Sequence, residues 1–284
     1  MDTKKIINAL TYNISWATQV NTVAGTEKDF VEQCKSDYRL GGKQCNNNAI
    51  KLLKDLPDLD ILGLQEVNSD IEKKIMKVQP TLTNFKKGKL GLSQVSLLWN
   101  KNKLGKVIES NLIELSTIKN DYRPCLTILL EKDKQKTLLI CLHAPNPNNN
   151  KLLSEGNLKK ISVGKPLIKK SLNDETTNII CLGDFNDHDT TITKSKPLII
   201  KSGNTKKRKL STQRTKKNLQ TSLKSCCWHK KGHPYGHFTG TGDYIIVSQN
   251  LKINKLEIPT KYDYIHRNKN LYSDHKPVFA EITF

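Results

Sequence analysis

The chain has 284 residues, 36% of them hydrophobic, and carries 47 Lys plus Arg against 27 Asp plus Glu, a formal net charge of +20. This length allows one large core or two ordinary domains, and the charge favours a polyanionic partner: DNA, RNA or an anionic membrane. There is no apolar run of about 18 residues to span a membrane as a helix, no apolar signal segment in "MDTKKIINAL", and the seven Cys are too irregularly spaced for a disulfide framework, so an intracellular protein is expected.

Short apolar runs alternate with looser polar segments along the chain, without an internal repeat. The first predicted strand, Ile6–Asn13, ends in "LTYN". A long segment, Ser15–Asn48, follows; its Cys34 and Cys45 read as free thiols, and its Trp16 and Gln19 either line a substrate groove or simply pack. A helix is predicted over Asn46–Lys54 and a strand over Ile61–Leu64 that runs into "LQEV" with Glu66. Another helix is predicted over Asp70–Lys77 and a strand over Val95–Trp99. Arg123, in "NDYRPCLTI", precedes a strand over Leu126–Leu130, and the strand Leu138–His143 ends in "CLHAPNP". After a helix predicted over Leu152–Lys160, the strand Ile179–Leu182 meets Gly183 and then Asp184, Asn186 and Asp187 in "NIICLGDFNDHD". Asp243 stands just before a strand over Tyr244–Val247, and Asp274 and His275 just before the last, Pro277–Ile282. Strands outnumber helices, which predicts a sheet-rich α/β domain with function carried by loops.

The charge is uneven. From Thr190 to Gly242 there is no acid, and 13 Lys or Arg stand in those 53 residues, leaving about +7 on the rest. The segment "SGNTKKRKLSTQRTKKNLQT" has almost no apolar residues and reads as a solvated, mobile insertion at about 201–225. Three readings stay open for it: a charged surface loop, a grip on a phosphate backbone through Lys206, Lys207, Arg208 and Lys209, or a nuclear address in "KKRK". Downstream, "CCWHKKGHPYGHF" has the spacing of a zinc-binding set. It reads better as the end of a buried strand at Cys226, Cys227 and Trp228 followed by a polar loop, whose Tyr235 either stacks on a base or packs.

A single acid at a strand end is more often a turn former or a helix cap than a catalyst. Acids at several strand ends, with two His among them, are a different matter. Carboxylates beside apolar strands must be solvated, paired or bound to a cation, and hard oxygen ligands suit Mg²⁺, while His supplies donors and proton carriers near neutral pH. The ordered series "YN", "LQEV", "LHAPN", "GDFND", "GDYIIV", "SDHKPV" resembles the endonuclease/exonuclease/phosphatase superfamily over nearly the whole chain.

That resemblance implies a single domain over residues 1–284 with a two-sheet, four-layer α/β sandwich (DNase I-like). It also implies Mg²⁺-assisted cleavage of a phosphoester, with Mn²⁺ as the alternative ion. It casts Glu66 as the principal metal ligand, with Asn13 beside the metal and Asp274 as the metal-side Asp. Asp184 is expected to orient or deprotonate the attacking water and Asn186 to hold the phosphate. His275 is expected to contact the scissile phosphate, oriented by Asp243, and Arg123 to touch the phosphate backbone. His143 is either an acid for the leaving group or a phosphate-orienting group. The deoxyribonuclease branch pairs its second His with a Glu, and "LSQVSLLWN" has no acid; the apurinic branch has a Tyr in place of that His. The leading functional expectation is a monomeric nuclease acting on DNA or RNA without stable membrane insertion. The alternatives are a phosphoinositide or sphingolipid phosphatase or phosphodiesterase of the same superfamily, and a catalytically silent nucleic-acid-binding module.

Overall fold

The computed structural model describes residues 5–14, 43–67, 71–116, 118–145, 167, 170–171, 174–186, 198–202, 206–211, 226–229, 237–240, 242–259, 273 and 275–284. Two mixed sheets stack face to face. The six-stranded sheet runs β14 (Lys252–Glu257), β15 (Val278–Thr283), β1 (Ile6–Asn13), β2 (Ile61–Gln65), β4 (Ser93–Trp99), β3 (Asn84–Leu90). The seven-stranded sheet runs β5 (Lys106–Glu114), β6 (Pro124–Lys132), β7 (Gln135–His143), β8 (Asn178–Asp184), β13 (Asp243–Ser248), β10 (Lys206–Ser211), β9 (Leu198–Ser202). A separate hairpin pairs β11 (Cys226–His229) with β12 (His237–Gly240).

The central strands are apolar along their whole length because both of their faces are covered. In β6, β7, β8 and β13, Leu126, Ile128, Leu139, Cys141, Ile180, Leu182, Ile245 and Val247 point to the core between the sheets. The alternate residues, among them Cys125, Leu138, Ile140, Leu142, Ile179, Cys181 and Ile246, form a second core on the outer face. The outer face of the six-stranded sheet is covered by α1 (Lys43–Lys54) and α2 (Ile71–Val78), which bury Ala49, Leu52, Leu53, Ile71 and Ile75. This is the expected two-sheet sandwich. Cys125, Cys141 and Cys181 are free thiols, and burial pushes Cys141 up to about 12, so it stays protonated and inert at neutral pH.

The predicted central strands and the first two helices are present. The unpredicted β3, β5, β9 and β14 are the four outermost strands of the two sheets. Edge strands need fewer apolar residues, and Lys there discourages edge-to-edge association; β3 reads "NFKKGKL" and β14 "KINKLE", whereas β9, "LIIKS", keeps a short apolar run. The expectation of a loop over 201–225 needs correction at one place. Lys206, Lys207, Arg208 and Lys209 lie in β10, whose backbone pairs with β9 and, through Leu210 and Ser211, with β13. Residues 212–225, Trp16, Gln19, Cys34, Tyr235, Asp274 and the helix expected over Leu152–Lys160 lie outside the described residues. Among the described residues no helix is long and apolar enough to cross a membrane.

Candidate active site

Two parallel pairs bring the polar strand ends together. β1 runs parallel to β2, with Asn13 opposite Gln65, so Glu66 emerges beside Asn13. β7 runs parallel to β8, with His143 opposite Asp184, and β13 lies antiparallel to β8, with Asp243 opposite Asp184. Asp243 is thus the first residue of β13 rather than a loop residue before it. β15 pairs antiparallel with β1, Thr11 opposite Val278, which brings the segment preceding β15 back to Asn13. Ser273 fastens it there: its Oγ donates to the Asn13 carbonyl at 2.7 Å and accepts the His275 N–H at 3.1 Å. Sites at the carboxyl ends of parallel strands are a recurring outcome of α/β topology.

Asn13 is the hub. Its fully buried Nδ2 donates to Glu66 Oε1 at 3.2 Å and to Asp184 Oδ2 at 3.1 Å, and lies 3.5 Å from His275 Nε2. The backbone bends into place at two non-glycine residues with positive φ, Glu66 (55°) and Asn186 (47°). Such conformations are unfavourable for side-chain-bearing residues and persist where the surroundings enforce them. Asn186 is held from both ends: its N–H donates to Asp184 Oδ1 at 2.8 Å and its Nδ2 to the Ala144 carbonyl at 2.7 Å.

His275 and Asp243 form a buried pair, Nδ1 to Oδ2 at 3.0 Å, which makes Nδ1 the donor and turns Nε2 toward Asp184, 3.6 Å away. Burial would raise the pKa of Asp184, but His275, His143, the Asn186 N–H and Asn13 outweigh it and hold the carboxyl below its usual value. Asp184 is therefore a carboxylate at neutral pH.

His143, expected as either a leaving-group acid or a phosphate-orienting group, lies against Arg123. Arg123 Nη1 lies 2.8 Å from His143 Nε2. A guanidinium can only donate, so Nε2 accepts and the neutral ring carries its proton on Nδ1. That Nδ1 is buried and has no partner among the described residues, in keeping with the missing acid of "LSQVSLLWN". Glu66 Oε1 and Asp184 Oδ2 lie 3.6 and 3.8 Å from Nε2. Burial first, and then the Arg123 charge, push His143 below the usual imidazole value despite these two carboxylates.

A group whose pKa is lower folded than unfolded binds fewer protons in the native state. The contribution of His143 to stability is therefore present above the unfolded value of about 6.5 and is lost as pH falls below it. Urea denaturation at pH 7.5 and 5.5 is expected to show a loss of stability on acidification that is smaller in His143→Gln. An equal loss in both proteins would assign the effect to other groups.

Sequence reading missed how Arg123 is held. Its Nε donates to Asp121 Oδ1 at 2.7 Å, and its N–H to Glu114 Oε1 at 2.7 Å. The only sequence signal was the acid two residues ahead in "NDYRP". Glu72, also buried, accepts from Gln94 Nε2 and Ser96 Oγ and pairs with Lys87; it braces α2 against β4.

The donor set fits a hard divalent cation. Buried Asp184 and Asp243 and the partly exposed Glu66 bring three carboxylates together beside His143, which is held neutral, and Arg123, which is already paired with Asp121. Carboxylates gathered this closely are further stabilised when a cation joins them. Donor atoms of Asp184, Asp243 and His275 lie within 4.8 Å of one another. Asp243 is engaged with His275 Nδ1, however, whereas Glu66, 20% exposed, lies on the solvent side of the cluster, where an ion and its waters have access. Asn13 Nδ2 is a donor to the carboxylates, so that atom bridges them and does not ligate a metal.

No family model matches the chain, and no curated protein matches it by sequence. Solved structures do match. An ANGEL2 structure, described as a 2',3'-cyclic phosphatase in complex with adenosine-2',3'-vanadate, superposes with TM-score 0.67 at 15% identity over 99% of this chain and 96% of that one. D. rerio TDP2 complexed with single-strand DNA product gives 0.60 at 14% identity over 98% and 99% of the two chains. An endonuclease/exonuclease/phosphatase family protein from Bacteroides thetaiotaomicron gives 0.61 at 17% identity over 99% of each. At 14–17% identity these matches show a shared fold: this chain has the two-sheet sandwich of those structures.

Proposed function

We propose that this protein is a metal-dependent phosphoesterase that hydrolyses phosphodiester bonds in nucleic acid. The observation that carries the reading is the convergence, from strand ends of both sheets, of Asn13, Glu66, Asp184, the His275–Asp243 pair and the Arg123–His143 pair. Attack on a phosphodiester needs a positioned water, neutralised phosphate oxygens and a destination for the leaving alkoxide. Asp184, ionised and anchored by Asn13 and Asn186, orients the water and receives its proton. Asn186 uses one amide proton on Ala144 and has the second to offer a phosphate oxygen. Arg123, steadied by Asp121, donates to the same phosphate; His143 positions Arg123 and is no proton source at Nε2. His275, with Nδ1 held by Asp243, presents Nε2 to the reacting group. Glu66 would hold Mg²⁺ or Mn²⁺, which when bound neutralises phosphate charge and acidifies water.

Nucleic acid is favoured as substrate by the acid-free stretch of 13 Lys or Arg between two of the site-forming blocks. β10, which carries Lys206, Lys207, Arg208 and Lys209, joins the site-bearing sheet beside β13. The single-strand DNA product described with the TDP2 structure supports the same class. The cyclic phosphatase described among the structural matches supports a smaller phosphoester as the second reading. One panel decides between them: single- and double-stranded DNA and RNA, 2',3'-cyclic nucleotides and phosphoinositide vesicles, each with Mg²⁺ or with EDTA. Cleavage of a polynucleotide that EDTA abolishes is expected. Turnover confined to cyclic nucleotide or lipid would replace the nuclease reading, and inertness toward every substrate would overturn the catalytic one.

A further inference from the structure

Among the described residues six large hydrophobic side chains are exposed, and they are not randomly placed. Ile6, Phe85 and Ile108 lie near the strand ends opposite the site. Leu92 (70% exposed), Ile118 (41%) and Tyr122 (41%) lie on two turns at the site end. One turn joins β3 to β4, where Leu90 pairs with Ser93; Gln65 pairs with Val95, which puts this turn on the Glu66 side. The other joins β5 to β6; Cys125 pairs with Leu142, which puts it beside His143. The turns meet where the Tyr122 ring lies against Gly91: a Cβ at that glycine would sit 2.3 Å from two ring carbons. Tyr122 thus packs against Gly91 and still leaves 41% of its surface to solvent.

The turn carrying Tyr122 is braced. Glu114 Oε1 accepts from the N–H groups of Ser116 and Arg123, Ser116 Oγ donates to Asp121 Oδ2, and Asp121 Oδ1 takes Arg123 Nε. The next residue after Tyr122 is Arg123, which reaches His143. Lys89, near the end of β3, and Lys119, on the turn between β5 and β6, are both exposed and flank the patch. Single exposed apolar residues need no explanation, but apolar groups gathered on the rim of a site, with an aromatic ring among lysines, match the pattern that binds unpaired bases.

We propose that Tyr122, with Leu92 and Ile118 at its margins, is a stacking platform for the base of a nucleotide flanking the phosphate held at Arg123. In this arrangement Lys89 and Lys119 meet the neighbouring backbone phosphates. The proposal rests on the nucleic-acid reading above and adds to it a preference for unpaired strands, because only an unstacked base offers its face.

The test compares short single-stranded DNA and RNA oligonucleotides with counterparts lacking one base beside the scissile phosphate. Binding is followed by fluorescence anisotropy in EDTA and cleavage in Mg²⁺. The wild-type protein is expected to bind the intact oligonucleotide about ten-fold more tightly than the abasic one. Tyr122→Ala erases that difference and raises KM more than it lowers kcat, while Tyr122→Phe retains the preference. If Tyr122→Ala keeps the preference, or loses kcat equally on both substrates, the platform is overturned while the nuclease reading stands. If the wild-type protein neither binds nor cleaves any oligonucleotide, both fall together.

Discussion

Asp184→Asn is expected to lower kcat by about a thousand-fold on whichever phosphoester the wild-type protein cleaves, with little change in KM. The substitution keeps the shape of the side chain and removes its ability to accept the proton of the attacking water. It acts on a carboxylate that is 1% exposed, accepts from Asn13 Nδ2 and the Asn186 N–H, and faces His275 Nε2. Because those partners hold it ionised, the wild-type base is fully available at neutral pH, and no change of buffer restores the variant. Circular dichroism and thermal melting establish whether the variant is folded, so that a loss of turnover is read as chemistry. Retention of activity within ten-fold in a folded variant would remove Asp184 from the base role and point instead to His275, whose Nε2 faces it.

Gly183→Ala is expected to cost about 3 kcal/mol or more, through two compounded mechanisms. Gly183 has φ of 151°, where L side chains are strained, and its added Cβ would stand 2.1 Å from the Leu142 carbonyl oxygen and 2.9 Å from the Leu142 nitrogen. These are backbone atoms of the paired strand β7 and cannot swing aside as a side-chain tip could. In a cooperative transition the melting temperature then falls by at least about 5–10 °C, and the urea midpoint falls with it. The consequence reaches the site directly, because the same β7–β8 pairing sets His143 opposite Asp184. An unchanged urea midpoint would mean that the two strands can move apart at this point without cost.

The sandwich was legible because its central strands are buried on both faces. Ile179–Leu182 or Leu138–Leu142 could hardly be anything but interior strands. For the same reason a polar residue at the end of such a run stood out, and Asn13, Glu66, His143, Asp184, Asp243 and His275 were each visible by abrupt contrast with the run beside them. The outer strands were less legible. β3, β5 and β14 sit at sheet edges, where solvent removes the need for a continuous apolar run, and the short run of β9, "LIIKS", lies beside the basic stretch. The basic stretch illustrates the limit well: "KKRKLS" has the composition of a loop, yet its backbone pairs with β9 and β13.

Local pattern thus settled which residues end the buried strands, because desolvation penalises any misplaced polar group in a core. It could not settle which strand ends meet. That depends on sheet order and register, interactions between residues more than a hundred positions apart, such as Asn13 with Asp184 and with His275. Only the folded chain turned Arg123 onto His143 Nε2, and only it laid Tyr122 against Gly91 at the rim. Hydrogen-bond direction and ring placement are properties of three-dimensional neighbours, and no periodicity along a single strand encodes them.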